Sequence, residues 1–496
     1  MTAILINPKL IINKEDKFTT GIVYMPISLA YINAIFKKNN VKTKIIDLFG
    51  ENPNKIKISK NTLELGEDLE IFENFLQERG AIFFVYANQV INHNNICDII
   101  KYLRKNYAKN KIILVENTQA VTAYSLRKVQ NEFLTIGVDT IVCGDPEIKV
   151  LNLYKKIKNK ENFSNLSNII TQNFDNKIND NVEDIDQLPF PDWSEFNLTN
   201  YWSLGHSHGP FTHKKYLPIL TSRGCPYPCK FCIIPEISSR KWRGRSAKNV
   251  VDELEVLKTK YGVNEFHLED LNPTVNEKRT IQICEEIISR KLKISWKIVS
   301  GTKIESIKNL STIDLMAKSG CKYISISPES GSAKVMKLID KPFDLNHGEK
   351  LIQRMNKNNI KSQACFVLGF PGEQDEDRQL TKKMIVNFTK KGLDEVAIFI
   401  VTPIPGSKIF KEFNGYKTLS DLNFSPTWRK DYNQLNKFRI HLYKSFLIKK
   451  IIYFPKKILR QVINFIFFKF ETKMEMVPYK ALKLFLLHAR AKYGKN

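Results

Sequence analysis

TSRGCPYPCKFCIIP, residues 221–235, sets Cys225, Cys229 and Cys232 at the spacing C-x3-C-x2-C. Three thiolates so close on one loop can hold three corners of a small metal cluster and leave a fourth metal position open. Iron–sulfur clusters are usually held by four cysteine thiolates. The next cysteine, Cys284, lies 52 residues further on, so the missing fourth ligand is informative. Structural zinc is the plainer alternative, but zinc closes its shell with paired C-x2-C or Cys/His sets. The upstream His206 and His213 could help to complete one; the spacing otherwise favours a cluster.

From Leu217 outward, strand-like and helix-like segments alternate six times. The strands read LPILTS, EFHLED, ISWKIVSG, YISISPES, QACFVLG and EVAIFIVTP. Six such units predict a partial barrel, short of eight-fold closure, with its chemistry at the strand C-termini. The distinctive motifs all fall on that edge. Glu269-Asp270-Leu271-Asn272 follows the second strand, Pro328-Glu329-Ser330-Gly331 the fourth, Gly369-Phe370-Pro371-Gly372-Glu373 the fifth, and Thr402-Pro403-Ile404-Pro405-Gly406-Ser407 the sixth.

The cysteine triplet, with aromatic Phe231 before its last cysteine, resembles the defining motif of the radical S-adenosylmethionine (SAM) superfamily. The resemblance implies a [4Fe–4S] cluster on Cys225, Cys229 and Cys232, with SAM chelating the fourth iron. It also implies reductive cleavage of SAM to a 5′-deoxyadenosyl radical that abstracts hydrogen from substrate. Glu269 and Asp270 resemble the family's acidic patch for the SAM amino group. Glu329 and Ser330 resemble its ribose and carboxylate contacts, and Gly369, Pro371 and Gly372 its G-x-P-G-E. The residue types suit those tasks. Carboxylates pair with an ammonium, hydroxyls bond ribose oxygens, and glycines let backbone amides approach a ligand. No acid–base pair is assigned.

Residues 1–150 carry five short buried-strand runs, AILINP, KTKIIDL, AIFFVYA, KIILVEN and DTIVCGD, separated by helical patterns. They predict a Rossmann-like, doubly wound parallel sheet binding ligands at its strand C-termini. With the closing GDPE of 144–147, this part resembles the cobalamin-binding domain that precedes the barrel in one radical SAM subgroup. The resemblance implies cobalamin across the strand ends, with Asn117 among its contacts. No cobalt-ligating D-x-H-x-x-G is present; the one histidine here is His93. Glu116-Asn117-Thr118-Gln119 stands where a glycine-rich turn is expected. Residues 151–213 read as a polar linker, 214–410 as the barrel, and 411–496 as a basic helical extension. His206, His208 and His213 cluster in the linker, where solvation or hydrogen bonding is the plainer reading than metal ligation.

Hydrophobic residues make up 43% of the 496 and charged ones 26%, with a net charge of +26, which fits a globular protein with several domains. The other cysteines are scattered, as in a reducing cytoplasm. MTAILINP enters a strand directly, so no signal peptide is expected, and no run of about 18 apolar residues predicts a membrane span. From Trp428 onward 17 Lys/Arg face 3 Asp/Glu. That concentration argues against a nucleic-acid groove and for either membrane-surface contact or capping of the barrel's open side. In YKALKLFLLHARAKYG (479–494), Tyr479, Leu482, Leu486, Ala489 and Tyr493 form an apolar stripe opposite Lys480, Lys483 and Arg490.

The expected activity is radical SAM chemistry on a small-molecule or lipid-like metabolite, by cobalamin-dependent methyl transfer to carbon or by oxidative cyclisation. Its electron would come from a donor such as flavodoxin or ferredoxin. Two alternatives stand beside it. An RNA-modifying enzyme would lack cobalamin, but the methylthio-transferring relatives carry three further N-terminal cysteines and this chain has only Cys97 and Cys143. A non-catalytic sensor would have lost the triplet. The expected location is the cytoplasm, with the tail available to the membrane's inner face.

Overall fold

The computed structural model describes residues 1–16, 18–75, 80–178 and 182–493. Strands β1 (Ala3–Asn7), β2 (Thr43–Asp47), β3 (Ile82–Ala87), β4 (Lys111–Glu116) and β5 (Thr140–Val142) form a parallel sheet in the order β2-β1-β3-β4-β5. Their near-continuous apolar runs are buried on both faces, as parallel strands require. Along β3, Ile82, Phe84 and Tyr86 point to the face covered by α1 (Ile27–Lys38) and α3 (Glu147–Lys158). Phe83, Val85 and Ala87 point to the face covered by α2 (His93–Asn106). The sheet is therefore doubly wound.

This unit does not end at residue 150. Val150, Leu151, Leu153 and Tyr154 of α3 join the core beside α1, and β6 (Ile169–Ile170) pairs antiparallel with β5. The expected linker is also less exposed than its composition suggests. Trp193 and Tyr201 are buried, the Asp192 N–H donates to Ala30 O at 3.0 Å, and the Tyr201 hydroxyl donates to Asp47 at 2.7 Å. Sparse aromatic anchors among polar residues make this segment a strap across the first domain.

The second sheet runs β7 (Tyr216–Ile219), β8 (Glu265–Leu268), β9 (Ser295–Thr302), β10 (Cys321–Glu329), β11 (Lys361–Leu368) and β12 (Glu395–Ile400). Each strand is parallel to its predecessor, and β7 and β12 are left as edges. Helices α4 (Ala247–Tyr261), α5 (Glu277–Ser289), α6 (Leu310–Lys318), α7 (Leu345–Lys357) and α8 (Asp375–Lys390) connect them. Ser246 starts α4 by accepting from the Asn249 N–H, and Gly262 ends it at φ 65°, the left-handed position that glycine fills without strain.

The C-terminal extension comprises α9 (Tyr432–Tyr453), α10 (Pro455–Ile466) and α11 (Lys473–Tyr493). Helix α9 covers the β12 edge, where the Ile398 N–H donates to the Tyr443 hydroxyl at 2.9 Å. An uncovered edge would offer unpaired backbone groups to other chains, so the capping role is a real one. Helix α11 follows the expected stripe only in part: Tyr479 packs against Phe470 and Arg490 is exposed, but the lysines turn inward. Lys480 is buried and donates to Thr20 O at 2.7 Å, and Lys483 donates to Leu204 O at 3.0 Å. Leu482 and Leu486 are exposed; the side chain of Tyr493 lies outside the described residues. Backbone carbonyls supplied by distant loops make the lysines the inward face. No described helix is long and apolar enough to cross a membrane.

Candidate active site

The carboxyl ends of the two parallel sheets face each other across a cleft that is open at its mouth. The first domain contributes Thr19–Gly21, Tyr24, Gln89–Ile91 and Gln119–Thr122; the barrel contributes Cys232, Ser327, Glu329 and Cys365 among others. A buried ion-pair cluster holds the sheets in this relation. Arg223, just before the cysteine loop, donates to both Glu147 carboxylate oxygens at 2.9 and 2.7 Å. Asp145 lies 3.6 Å from Arg223 and also pairs with Arg243. Burial works against the Asp145 charge, but the two guanidinium groups outweigh it and hold its carboxyl below the usual range. The GDPE turn is thus the joint between the domains.

The cysteine loop leaves Ser222–Arg223, which pairs with Arg243–Gly244. Gly224 turns it at φ 74°, where a Cβ would meet Lys241 O at 2.1 Å. Lys230 pins the loop at both backbone groups: its N–H donates to Ile339 O at 3.0 Å, and its carbonyl accepts from the Lys408 N–H at 2.9 Å. Cys229 is buried, and Cys225 and Cys232 are half-buried. Burial pushes all three thiols up, Cys229 to about 11 and Cys232 to about 12. Among the described residues no three His, Cys, Asp or Glu side chains converge on one ion-sized point. A cluster spreads its thiolates over separate irons, and here three cysteines share one loop. The donor set fits a cluster.

The remaining site candidates divide. Glu329 lines the cleft at φ 60°, its carboxylate 2.5 Å from Lys341 Nζ, which also donates to Ser327 at 2.8 Å. Glu269 holds His208, a cleft residue, at 2.6 Å through Nδ1. Asp270 does not face the cleft: its carboxylate accepts from the Thr221 N–H and from the Thr221 and Ser222 hydroxyls, bracing the strand before the cysteine loop. Ser330 is likewise turned inward, bonded to Thr381 and to the Ser332 N–H, both at 3.2 Å. Asn117 donates to Asn88 O at 2.7 Å and accepts from the Gln119 N–H at 2.9 Å, so it shapes the loop while Gln119 reaches the cleft. The neighbouring Glu116 accepts from the Leu126 and Gly144 N–H groups, tying down the turn that has no glycine.

Gly369, Pro371 and Gly372 line a second depression beside Trp428 and Arg429 rather than the cleft. Phe370 also lines it and meets Phe231 at 5.3 Å between ring centroids. Gly369 sits at φ 82°, in the left-handed region that glycine fills without strain; a Cβ would meet Leu435 at 2.6 Å, and the Gly369 carbonyl accepts from Arg429 at 3.0 Å. Glu373 accepts from the Gly369 N–H at 2.6 Å, but its other oxygen has no partner. Burial lifts this carboxyl to about 7, with the Gly369 N–H and Arg378 pulling the other way. A folded-state value above the unfolded one means stability falls as pH rises between the two. Glu373→Gln should therefore flatten the decline in urea midpoint between about pH 5 and 7, by up to roughly 3 kcal/mol. Glu395, also lifted to about 7, keeps some slope. An unchanged slope in Glu373→Gln would show that the carboxyl ionises normally.

Residues 219–385 match the family model of the radical SAM superfamily. This segment is a radical SAM domain. A [4Fe–4S] cluster and SAM are the cofactors of this domain. Among curated relatives, cytidylyl-2-hydroxyethylphosphonate methyltransferase of Streptomyces wedmorensis is 23% identical, over 78% of this chain and 77% of its own. The anaerobic magnesium-protoporphyrin IX monomethyl ester cyclase of Rubrivivax gelatinosus is 30% identical, over 47% of this chain and 40% of its own. The chain thus spans less than half of that cyclase. Among solved structures, the radical SAM methyltransferase TsrM from Kitasatospora setae, with tryptophan substrate and a SAM analog, matches at TM-score 0.63 and 14% identity, covering 83% of this chain and 75% of TsrM. The cobalamin-dependent radical SAM enzyme OxsB matches at 0.60 and 17%, covering 89% of this chain and 56% of OxsB. These likenesses establish the two-domain radical SAM fold. Within it, sequence reasoning missed Tyr24, Lys341 and the Arg223–Glu147 joint. His208 carried a signal as one of three clustered histidines, and Glu147 as the last residue of the GDPE motif.

Proposed function

We propose that this radical SAM enzyme binds cobalamin between its two domains and acts on an apolar small molecule, by methyl transfer to carbon or oxidative cyclisation. The observation that carries the reading is the shared cleft, walled on one side by strand ends of the first domain and on the other by Cys232 and Glu329. Gln119 reaches the cleft with a buried amide oxygen that has no protein partner, which suits a ligand rich in amides.

Cys225, Cys229 and Cys232 would hold the cluster, and Glu329 and Glu269 would meet the SAM amino acid and ribose. When bound, these groups supply one-electron cleavage of SAM, and cobalamin supplies a methyl carrier. The chain's own residues prepare the site. Lys341 offsets the Glu329 charge, and Glu269 fixes the His208 ring through Nδ1. Val299, Val367 and Val401 dry the walls. An electron donor of the flavodoxin or ferredoxin kind would reduce the cluster. Contact with a membrane would go through the C-terminal helices.

His93 lies outside the cleft, between the Tyr124 hydroxyl at 3.3 Å and Glu132 at 2.9 Å. Anaerobic reconstitution with hydroxocobalamin should therefore yield a bound corrinoid with no protein histidine on cobalt, and His93→Ala should leave the corrinoid spectrum unchanged. Absence of bound corrinoid, or its loss in His93→Ala, would contradict the reading.

A further inference from the structure

Helix α10 is built inside out. Its inward residues are polar: Gln461 donates to Thr472 at 2.9 Å, and Asn464 donates to Glu475 at 3.3 Å. Its outward residues Leu459, Val462, Ile463, Ile466 and Phe467 are 45–69% exposed. They fall at the i, i+3, i+4, i+7, i+8 spacing of one continuous face, which a helix of a globular domain turns toward its core. Exposed Ile448, Ile451 and Ile452 on the end of α9 lead into it, and Phe468 follows it, its ring 5.6 Å from Tyr479 of α11. Scattered surface apolar residues are ordinary, but a contiguous face of this kind marks a binding surface.

The charge around this face selects the occupant. Between residues 432 and 490 the acidic residues are Glu471 and Glu475. Glu475 is buried, and Glu471 pairs with Arg460 and Lys361. Lys444, Lys456, Lys469 and Arg490 are exposed. An apolar face bordered by cations and short of anions complements an anionic lipid headgroup layer over acyl chains. With no described helix able to span a bilayer, the geometry is that of a helix lying in the surface. We propose that the outer face of α10, with the adjoining end of α9, docks in the interfacial layer of an anionic phospholipid membrane. The first residue of α11, Lys473, lines the catalytic cleft and follows α10 by a six-residue turn. A docked α10 would thus hold the cleft close to the bilayer. That last consequence rests on the proposed apolar substrate; the docking itself does not.

The test is sedimentation of the full chain with vesicles of phosphatidylcholine containing phosphatidylglycerol, compared with phosphatidylcholine alone. The triple variant Leu459→Ser, Ile466→Ser, Phe467→Ser alters only exposed side chains, so its circular dichroism should match the parent. Binding to the anionic vesicles should fall about tenfold or more in the variant, and in the parent it should weaken with salt. Three results would overturn the proposal: no sedimentation of the parent, equal sedimentation of the variant, or equal binding to both vesicle types. So would a lipid-free dimer that the variant abolishes, since a second copy would then cover the face. The readout involves no cofactor, so it stands or falls independently of the enzymatic reading.

Discussion

Cys229→Ala should lose its bound iron and form no 5′-deoxyadenosine above the uncatalysed background. The loop presents three sulfurs and no fourth protein ligand nearby, so removing one leaves two, too few to retain a cluster normally tied by three or four thiolates. Losing the catalyst outright forfeits at least about 10⁶-fold in rate, the low end of enzymatic accelerations. Cys284→Ala, which alters a thiol buried in the barrel core, should retain both iron and SAM cleavage. Iron analysis and product chromatography under anaerobic conditions read the result. Full iron with undiminished 5′-deoxyadenosine in Cys229→Ala would remove the loop from the active site.

The second large effect is expected at the domain joint. Glu147→Ala leaves the Arg223 guanidinium buried with only Asp145, 3.6 Å away, as its carboxylate partner. Leaving a buried charge uncompensated costs about 3–5 kcal/mol, so with Asp145 still nearby the loss should approach that range and exceed a surface ion pair's roughly 0–1 kcal/mol. The loss should appear in the urea midpoint, and because the joint sets the cleft's two walls, corrinoid retention should fall with it. Combining Glu147→Leu with Arg223→Met removes both charges and should recover part of the stability. A drop of less than about 1 kcal/mol in Glu147→Ala would mean that water already reaches the pair.

The strands were legible because parallel sheets demand long apolar runs, and the motif edge was legible because each motif follows such a run. Side-chain direction was not. Asp270 and Glu269 are neighbours at one strand end, yet Asp270 is bonded to Thr221, 49 residues away, and Glu269 to His208. Nothing local distinguishes the two carboxylates. Asn117 and Ser330 are likewise bonded to partners that the sequence does not place beside them, on Asn88 and Thr381. Gly369 takes φ 82° beside Leu435 and Arg429 of the C-terminal extension, neighbours that its motif does not announce. The helical periodicity of α10 and α11 was visible, but periodicity gives a stripe without saying which side is inward. Lys480 faces inward because Thr20 offers it a carbonyl across 460 residues of chain.

The central claim is that the Cys225–Cys229–Cys232 loop holds a cluster with one iron open to SAM. Electron paramagnetic resonance of the anaerobically reconstituted, dithionite-reduced protein tests it most directly. The account predicts a [4Fe–4S]⁺ signal whose g-values shift when SAM is added and which is lost in Cys229→Ala. A cluster signal that SAM leaves unchanged, or one that survives in Cys229→Ala, would contradict it.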